Sequence, residues 1–291
     1  MPLEMLRVFY SPDMVSDAGR GLSPSDHKPR AVCEALQRKA WPIEIIAPEP
    51  TRLDDICQIH ELAFVVDVLA QRRPSGFGST SASVARSLPY TCGACYDSCL
   101  VALQEGISAS LTSGFHHAGP SNARGFCTFN GLMIAAGQLL RSARVERIAI
   151  VDCDYHYGDG TQAIIDAQNL GDRVLHVSFG LKFKRPEQAR DYLAGVYALR
   201  SQLREFAPQL ILYQAGADTH VNDPLGGLLT SEQMSERDRA VFSMARELEI
   251  PLSWNLAGGY QVERDGSIPR VVELHLATFE QALSVWHLIP V

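Results

Sequence analysis

The chain has 291 residues, a net charge of −7, 46% hydrophobic and 20% charged content, which is ordinary for a globular protein able to bury a sizeable core within one domain. Its acidic balance argues against an electrostatic grip on nucleic acid or on an anionic membrane, because both need basic surface. The N-terminus lacks a basic segment followed by an apolar core, no apolar run nears the ~18 residues that span a bilayer, and seven scattered cysteines make no disulfide framework, so a soluble cytoplasmic protein with reduced thiols is expected.

In chain order, "MLRVFYSPD" predicts a first strand closed by a Pro-Asp turn, and the polar stretch between Ser11 and Lys28, with Gly19, Gly21 and Pro24, predicts a loop. "KPRAVCEALQRKAW" predicts a helix with Pro29 in its first turn, "DDICQIHELAFVVDVLAQ" a second amphipathic helix, and "RRPSGFGSTSASVARS" a mobile loop. From about Thr91, helix and strand alternate: helix in "CYDSCLVALQEGI", strand in "ISASLT", helix in "NGLMIAAGQLLRS", strand in "VERIAIVDCD", short helix in "GTQAIIDAQN" and strand in "RVLHVSFG". A helix in "ARDYLAGVYALRSQLREFA", a strand in "QLILYQAGAD", a helix in "SEQMSERDRAVFSMARELE" and a last core strand in "PLSWNLAGGY" follow. Strands separated by whole helices imply parallel crossovers, and the continuous apolar runs "IAIV" and "LILYQ" fit a sheet covered on both faces. The expected fold is α/β: one domain over residues 1–291, in three layers, with a parallel sheet between two sets of helices.

Four strands end in chemically loaded turns. "LTSGFHHAGP" presents His116 and His117, "IVDCDYHYGDG" presents Asp152, Asp154, His156 and Asp159, "YQAGADTHVNDP" presents Asp218, and "NLAGGYQ" presents Tyr260. In an open α/β sheet, ligands bind outside the carboxyl ends of the strands, which is where all four turns fall. Alternate residues of an extended chain share a face roughly 6–7 Å apart, so Asp152, Asp154 and His156 converge. Carboxylates that close repel one another, and their burial calls for a compensating cation.

The ordered set "FHHA", "GFCTFN", "DCDYHYGDG", "QAGADTHVNDPLGG" and "AGGY" resembles the zinc-dependent histone deacetylase family of the arginase/deacetylase fold, including bacterial members that act on acetylpolyamines. The resemblance runs from about Thr91 to Gln261, with a weaker echo in "HKPRAVCEAL" and "IHELAFVVDVL". It implies one Zn2+ held by Asp154, His156 and Asp218, with a water in the open position. It further implies that His116 and His117 handle protons, that Asp152 and Asp159 orient those rings, and that Tyr260 donates to the oxyanion. Gly258 and Gly259 let the backbone turn before Tyr260, and Phe126, with Gly125 before it, forms one wall of the acyl tunnel. The family also binds a monovalent cation, K+, through backbone carbonyls that here belong to Asp152, Asp154, His156, Ser178 and Phe179. The implied reaction is deacylation of an amine such as acetyl-lysine or an acetylpolyamine, with no nucleic-acid or membrane partner.

The chain departs from the family in two places. Only "LKFKRPEQ" follows "RVLHVSFG", where the family carries a long glycine-rich excursion with a second tunnel aromatic that Phe183 could replace. Tyr157 stands where a histidine is common, and Gln261 where Asn or Asp is frequent.

Structural readings stand beside the functional ones. His116 and His117 could be loop histidines, Asp152 and Asp159 helix caps, Asp218 an Asx-turn residue and Tyr260 a packed aromatic. Cys92, Cys95 and Cys99 share one helical face and read as core packing, as do Cys127 and Cys153. His60, His176, His220, His275 and His287 read as structural, with His220 near enough to Asp218 to touch the edge of the site, while Arg30 aligns loosely with an arginine beneath the family's active site. Two other functions stand as alternatives: an arginase-type dimanganese ureohydrolase, which shares the fold but uses more metal-facing Asp and His residues, and a catalytically weak binder of acylated amines.

Overall fold

The computed structural model describes residues 3–17 and 23–290; Gly19 and Gly21 of the predicted N-terminal loop lie outside the described residues. In chain order, β1 (Leu6–Phe9) leads to α1 (Lys28–Gln37), β2 (Ile43–Ile46), α2 (Leu53–Cys57), α3 (Leu62–Leu69), the long α4 (Ala82–Glu105), β3 (Ile107–Ser110) and α5 (Gly131–Arg141). Then come β4 (Ile148–Asp152), α6 (Asp159–Ala167), β5 (Val174–Ser178), α7 (Ala189–Phe206), β6 (Leu210–Gly216), α8 (Ser231–Glu247), β7 (Leu252–Ala257) and α9 (Pro269–Val285). The seven strands pair in parallel throughout, in the order β2, β1, β3, β7, β6, β4, β5.

Strand pleating sends alternate side chains into two separate cores. Ile148 and Ile150 of β4 pack with residues of α3, α4, α5 and α6, whereas Ala149 and Val151 pack with residues of α1, α7, α8 and α9. Both faces are therefore apolar, which is why β4, β6 and β7 are buried at every position. This is the α/β fold of a parallel sheet between two helical layers.

Several elements differ from expectation. The long amphipathic helix predicted from Asp54 breaks into α2 and α3 because the chain turns inward at His60, whose ring bonds the Gly119 carbonyl at 2.8 Å. The predicted mobile loop gives way to α4 at Ala82, since Pro89 and Gly93 lie within that helix and disguise it in the sequence. β2 is a half-exposed edge strand too short to show a period, and α9, which packs on α8 and α1, followed the last predicted element. Cys92, Cys95 and Cys99 are buried, free thiols on α4, as the packing reading requires.

Candidate active site

The four loaded turns follow β3, β4, β6 and β7, which are the four neighbouring central strands in the order β3, β7, β6, β4. Parallel pairing aligns their carboxyl ends, so residues distant in sequence meet over one patch of the sheet rim.

Asp154, His156 and Asp218 form a group whose candidate ligand atoms all lie within 4.8 Å of one another, and it is the one such group of three or more among the described residues. His156 Nδ1 sits 3.2 Å from Asp154 Oδ1 and 2.9 Å from Asp218 Oδ2, so one nitrogen and two oxygens point at a common position. The carboxylates are aimed by backbone amides: His156 N donates to Asp154 Oδ1 at 2.8 Å and Tyr155 N to Asp218 Oδ1 at 3.1 Å. Both side chains are almost fully buried. Burial and the charge of Asp154 push the Asp218 carboxyl up to about 7, while His116 and His156 overcome the burial of Asp154 and hold it below its usual range. Burial favours a neutral His156, but Asp154 and Asp218 outweigh it and raise the ring to about 10. Two buried carboxylates that repel, converging with an imidazole, are the donor set a divalent cation satisfies, and mixed oxygen and nitrogen donors suit zinc.

The tandem histidines lie beside this group with their rings 4.1 Å apart. His116 Nδ1 meets Asp152 Oδ2 at 2.9 Å and His117 Nδ1 meets Asp159 Oδ1 at 2.7 Å. Their environments diverge. Burial and the neighbouring His116 lower His117 to about 3, whereas for His116 the carboxylates Asp152 and Asp154 outweigh burial and raise it to about 9. Asp152 is the last residue of β4 and caps no helix; Asp159 opens α6 after an N-cap at Gly158 and spends its oxygens on His117 and on Arg124, which forms an ion pair with it. Gly125 (φ 54°) backs the imidazole of His117 so closely that a Cβ there would lie 2.5 Å from Cδ2.

Tyr260 also borders the group, its ring 6.5 Å from that of His156 and 5.6 Å from that of Phe126. Burial, followed by the charges of Asp154 and Asp218, keeps its hydroxyl protonated far above the usual range. Gly258 and Gly259 precede it at φ 48° and 88°, and a Cβ at Gly258 would strike Asp218 Cγ at 2.3 Å. Phe126 pairs with Phe77, an aromatic residue from the segment before α4 that carried no motif. Phe183, the sequence's candidate for a second tunnel aromatic, is partly buried, stacks on Phe179 and meets Tyr192 edge-on, packing against the core. Tyr157 stacks on His176, and Gln261 reaches His220, so neither joins the metal group. Ser178 Oγ donates to Asp152 Oδ2 at 3.1 Å, tying β5 to β4 beneath the site, with Phe179 next to it in the core.

Other residues at the site carried a weaker sequence signal, or none. Lys28, not the exposed Arg30, lies beneath the site: it is fully buried and its Nζ donates to the Gly258 carbonyl. Burial lowers that ammonium to about 8 against the pull of Asp218 and Asp154. Asp223 Oδ2 accepts the Tyr260 amide at 2.7 Å, and its place in "VNDPLGG" was the available clue. His176, read as merely structural, has Nε2 3.9 Å from Asp152 Oδ2. His220 is buried in a network with Ser231 and Arg270 at the edge of the site. Among the described residues, no helix is long and apolar enough to cross a membrane.

A model of the histone deacetylase domain matches residues 24–188 and 184–278. An uncharacterized protein of Picosynechococcus is 31% identical over 258 residues, covering 83% of this chain and 82% of that protein. The solved HDA15 HD domain superposes with a TM-score of 0.77 at 18% identity, covering 99% of this chain and 91% of that one. An acetylpolyamine aminohydrolase from Burkholderia pseudomallei superposes with a TM-score of 0.71 at 17% identity, covering 96% of this chain and 99% of its own; these two likenesses speak for the arginase/deacetylase fold. The chain belongs to the histone deacetylase family, whose members are enzymes that hydrolyse amides of acylated amines.

Proposed function

We propose that the protein is a zinc-dependent hydrolase, acting as one catalytic domain, that removes an acetyl or other short acyl group from an amine such as acetyl-lysine or an acetylpolyamine. The observation that carries this reading is the convergence of Asp154, His156 and Asp218 on one position, flanked by a carboxylate-held histidine pair and a buried tyrosine. Held by those three side chains, a zinc ion would supply Lewis-acid polarisation of the acyl carbonyl and acidify a water in its open position.

The remaining steps belong to the chain. With Nδ1–H directed at Asp159, His117 presents Nε2 as an acceptor, and its depressed pKa keeps that nitrogen free to take a proton from the attacking water. The adjacent, more basic His116 disfavours a second positive charge on His117, so the proton passes on to the leaving amine. Tyr260 donates to the carbonyl oxygen as negative charge builds there. Phe126 and Phe77 give the acyl group an apolar side to lie against. The backbone carbonyls of Asp152, Asp154, His156, Ser178 and Phe179 are the groups that would hold a monovalent cation such as K+.

Metal content and turnover test the reading together. The expected result is one zinc per chain and free amine released from an acetyl-lysine reporter or an acetylpolyamine, with loss on chelation, recovery on added zinc, and a roughly 10²–10³-fold lower kcat in Tyr260→Phe. Two manganese ions with urea release would replace it by the ureohydrolase reading. Tight binding of acylated amines without turnover would replace it by the binding reading.

A further inference from the structure

We propose that Arg237 is a positioning residue that holds the two metal-group carboxylates at their working separation by gripping the backbone on which each one stands. The inference rests on the metal reading above and adds a residue to it. In sequence, "SERDRAVF" looks like a solvated helix face, yet Arg237 on α8 is completely buried under the rim of the sheet. Its Nη1 donates to Gly216 O and to Thr219 Oγ1, both at 2.8 Å, and lies 3.4 Å from Cys153 O. Gly216 and Thr219 bracket Asp218, and Cys153 immediately precedes Asp154. One guanidinium nitrogen therefore reaches the main chain beside both carboxylates.

The grip works through hydrogen bonds and not through long-range charge. Arg237 Nε is bonded to Asp238 Oδ1 at 2.7 Å, so the positive charge is matched by its own neighbour. Asp238 is in turn fixed by the hydroxyl of Tyr213 on β6 and by Thr278 Oγ1 on α9 at 2.6 Å. This anchors the guanidinium to three elements, and a planar fork can then serve several acceptors that a lysine ammonium cannot reach in the same geometry. The ends of β6 and β4 need such a tie. They approach until a Cβ at Gly216 would lie 2.4 Å from Asp154 Cα, and the side chains beyond that contact are two like charges. Groups that orient metal ligands from behind commonly change metal affinity by about 10–100-fold when replaced.

The test is zinc affinity, measured on chelator-stripped protein by titrating Zn2+ against a chromogenic chelator, with melting temperature recorded beside it. Arg237→Lys and Arg237→Gln are expected to weaken zinc binding by about 10–100-fold, and Thr219→Val, which removes one contact, to weaken it less. Val196→Ala in the core under α7 is the control, expected to lower the melting temperature with no change in zinc affinity. Unchanged affinity in the Arg237 variants would overturn the proposal, as would an equal loss in the Val196 control at matched destabilisation. Should the Arg237 variants fail to fold, unchanged affinity in Thr219→Val overturns it instead. A wild-type chain that takes up no zinc removes the metal reading as well, whereas one that binds zinc regardless of Arg237 removes this inference alone.

Discussion

The loop after β3, which presents the histidine pair, and the turns after β4 and β6, which present the carboxylates, face each other across one site and are held in opposite ways. Neutral donors and carbonyl groups hold the backbone of the histidine loop, while its two rings are held by Asp152 and by Asp159, which also pairs with Arg124. His60 Nδ1 bonds Gly119 O at 2.8 Å, Asn130 Nδ2 donates to Ala118 O at 3.1 Å, and the Thr161 amide donates to His116 O at 2.9 Å. The carboxylate turns are held by hydrogen bonds from a charged group: Arg237, itself paired with Asp238, reaches Gly216 O and Cys153 O, and in the neighbouring turn after β7 Lys28 reaches Gly258 O. The difference follows from the work each wall does. On the proposed function, a base must remain neutral until it accepts a proton, which suits a loop whose backbone is carried by uncharged groups. Like-charged metal ligands must instead be kept together against repulsion, which calls for strong, directional, charge-assisted bonds.

The largest expected effect breaks the histidine wall directly. His117→Ala should lower kcat by about 10²–10⁴-fold while leaving zinc content intact, because His117 bonds Asp159 and belongs to no metal group. Metal analysis alongside steady-state kinetics checks this, and loss of zinc in that variant would erase the separation between the walls.

A smaller effect concerns the neutral scaffold behind the loop. His60 Nε2 accepts the Asn130 amide at 2.9 Å, so the ring is useful only while unprotonated, and burial lowers it to about 4. Since the folded state binds this proton less readily than the unfolded state, stability is fully present above the ordinary histidine pKa near 6.5 and is lost as pH falls toward 4. The size of that loss is on the order of 3 kcal/mol. Denaturant melts between pH 7 and pH 4 should show the slope, and His60→Phe should be less stable at pH 7 but flatter with pH. An unchanged slope in that variant would shift the acid sensitivity to other groups.

The smallest effect sharpens the contrast at the rim. Phe183 packs on Phe179 and Tyr192, away from Phe126 and Tyr260, so Phe183→Leu should cost about 1 kcal/mol of stability with KM unaltered. A raised KM for acyl substrates would return Phe183 to the tunnel wall.

Much of the site could be read from the chain because each loaded turn is contiguous. Asp152, Asp154, His156 and Asp159 fall within eight residues, and an apolar strand before them shows where they emerge. The residues that escaped reading lack such company. Lys28 looks like any lysine at the start of a helix, and Arg237 and Asp238 like a hydrated helix face. Their roles depend on burial and on partners up to 230 positions away, as for Lys28 and Gly258.

The amino-acid sequence by itself determined the alternation of strands and helices, the double-sided burial of the sheet, the family and the residues that the four turns present, because all of these follow from local periodicity and short contiguous patterns. Only the tertiary structure decided that β3, β7, β6 and β4 are neighbours, that Phe183 packs on Phe179 and Tyr192, and that buried Lys28 and Arg237 bond the backbone at Gly258 and Gly216. Strand order and the direction in which a buried side chain points are set by packing between distant segments, where no local pattern records the partner.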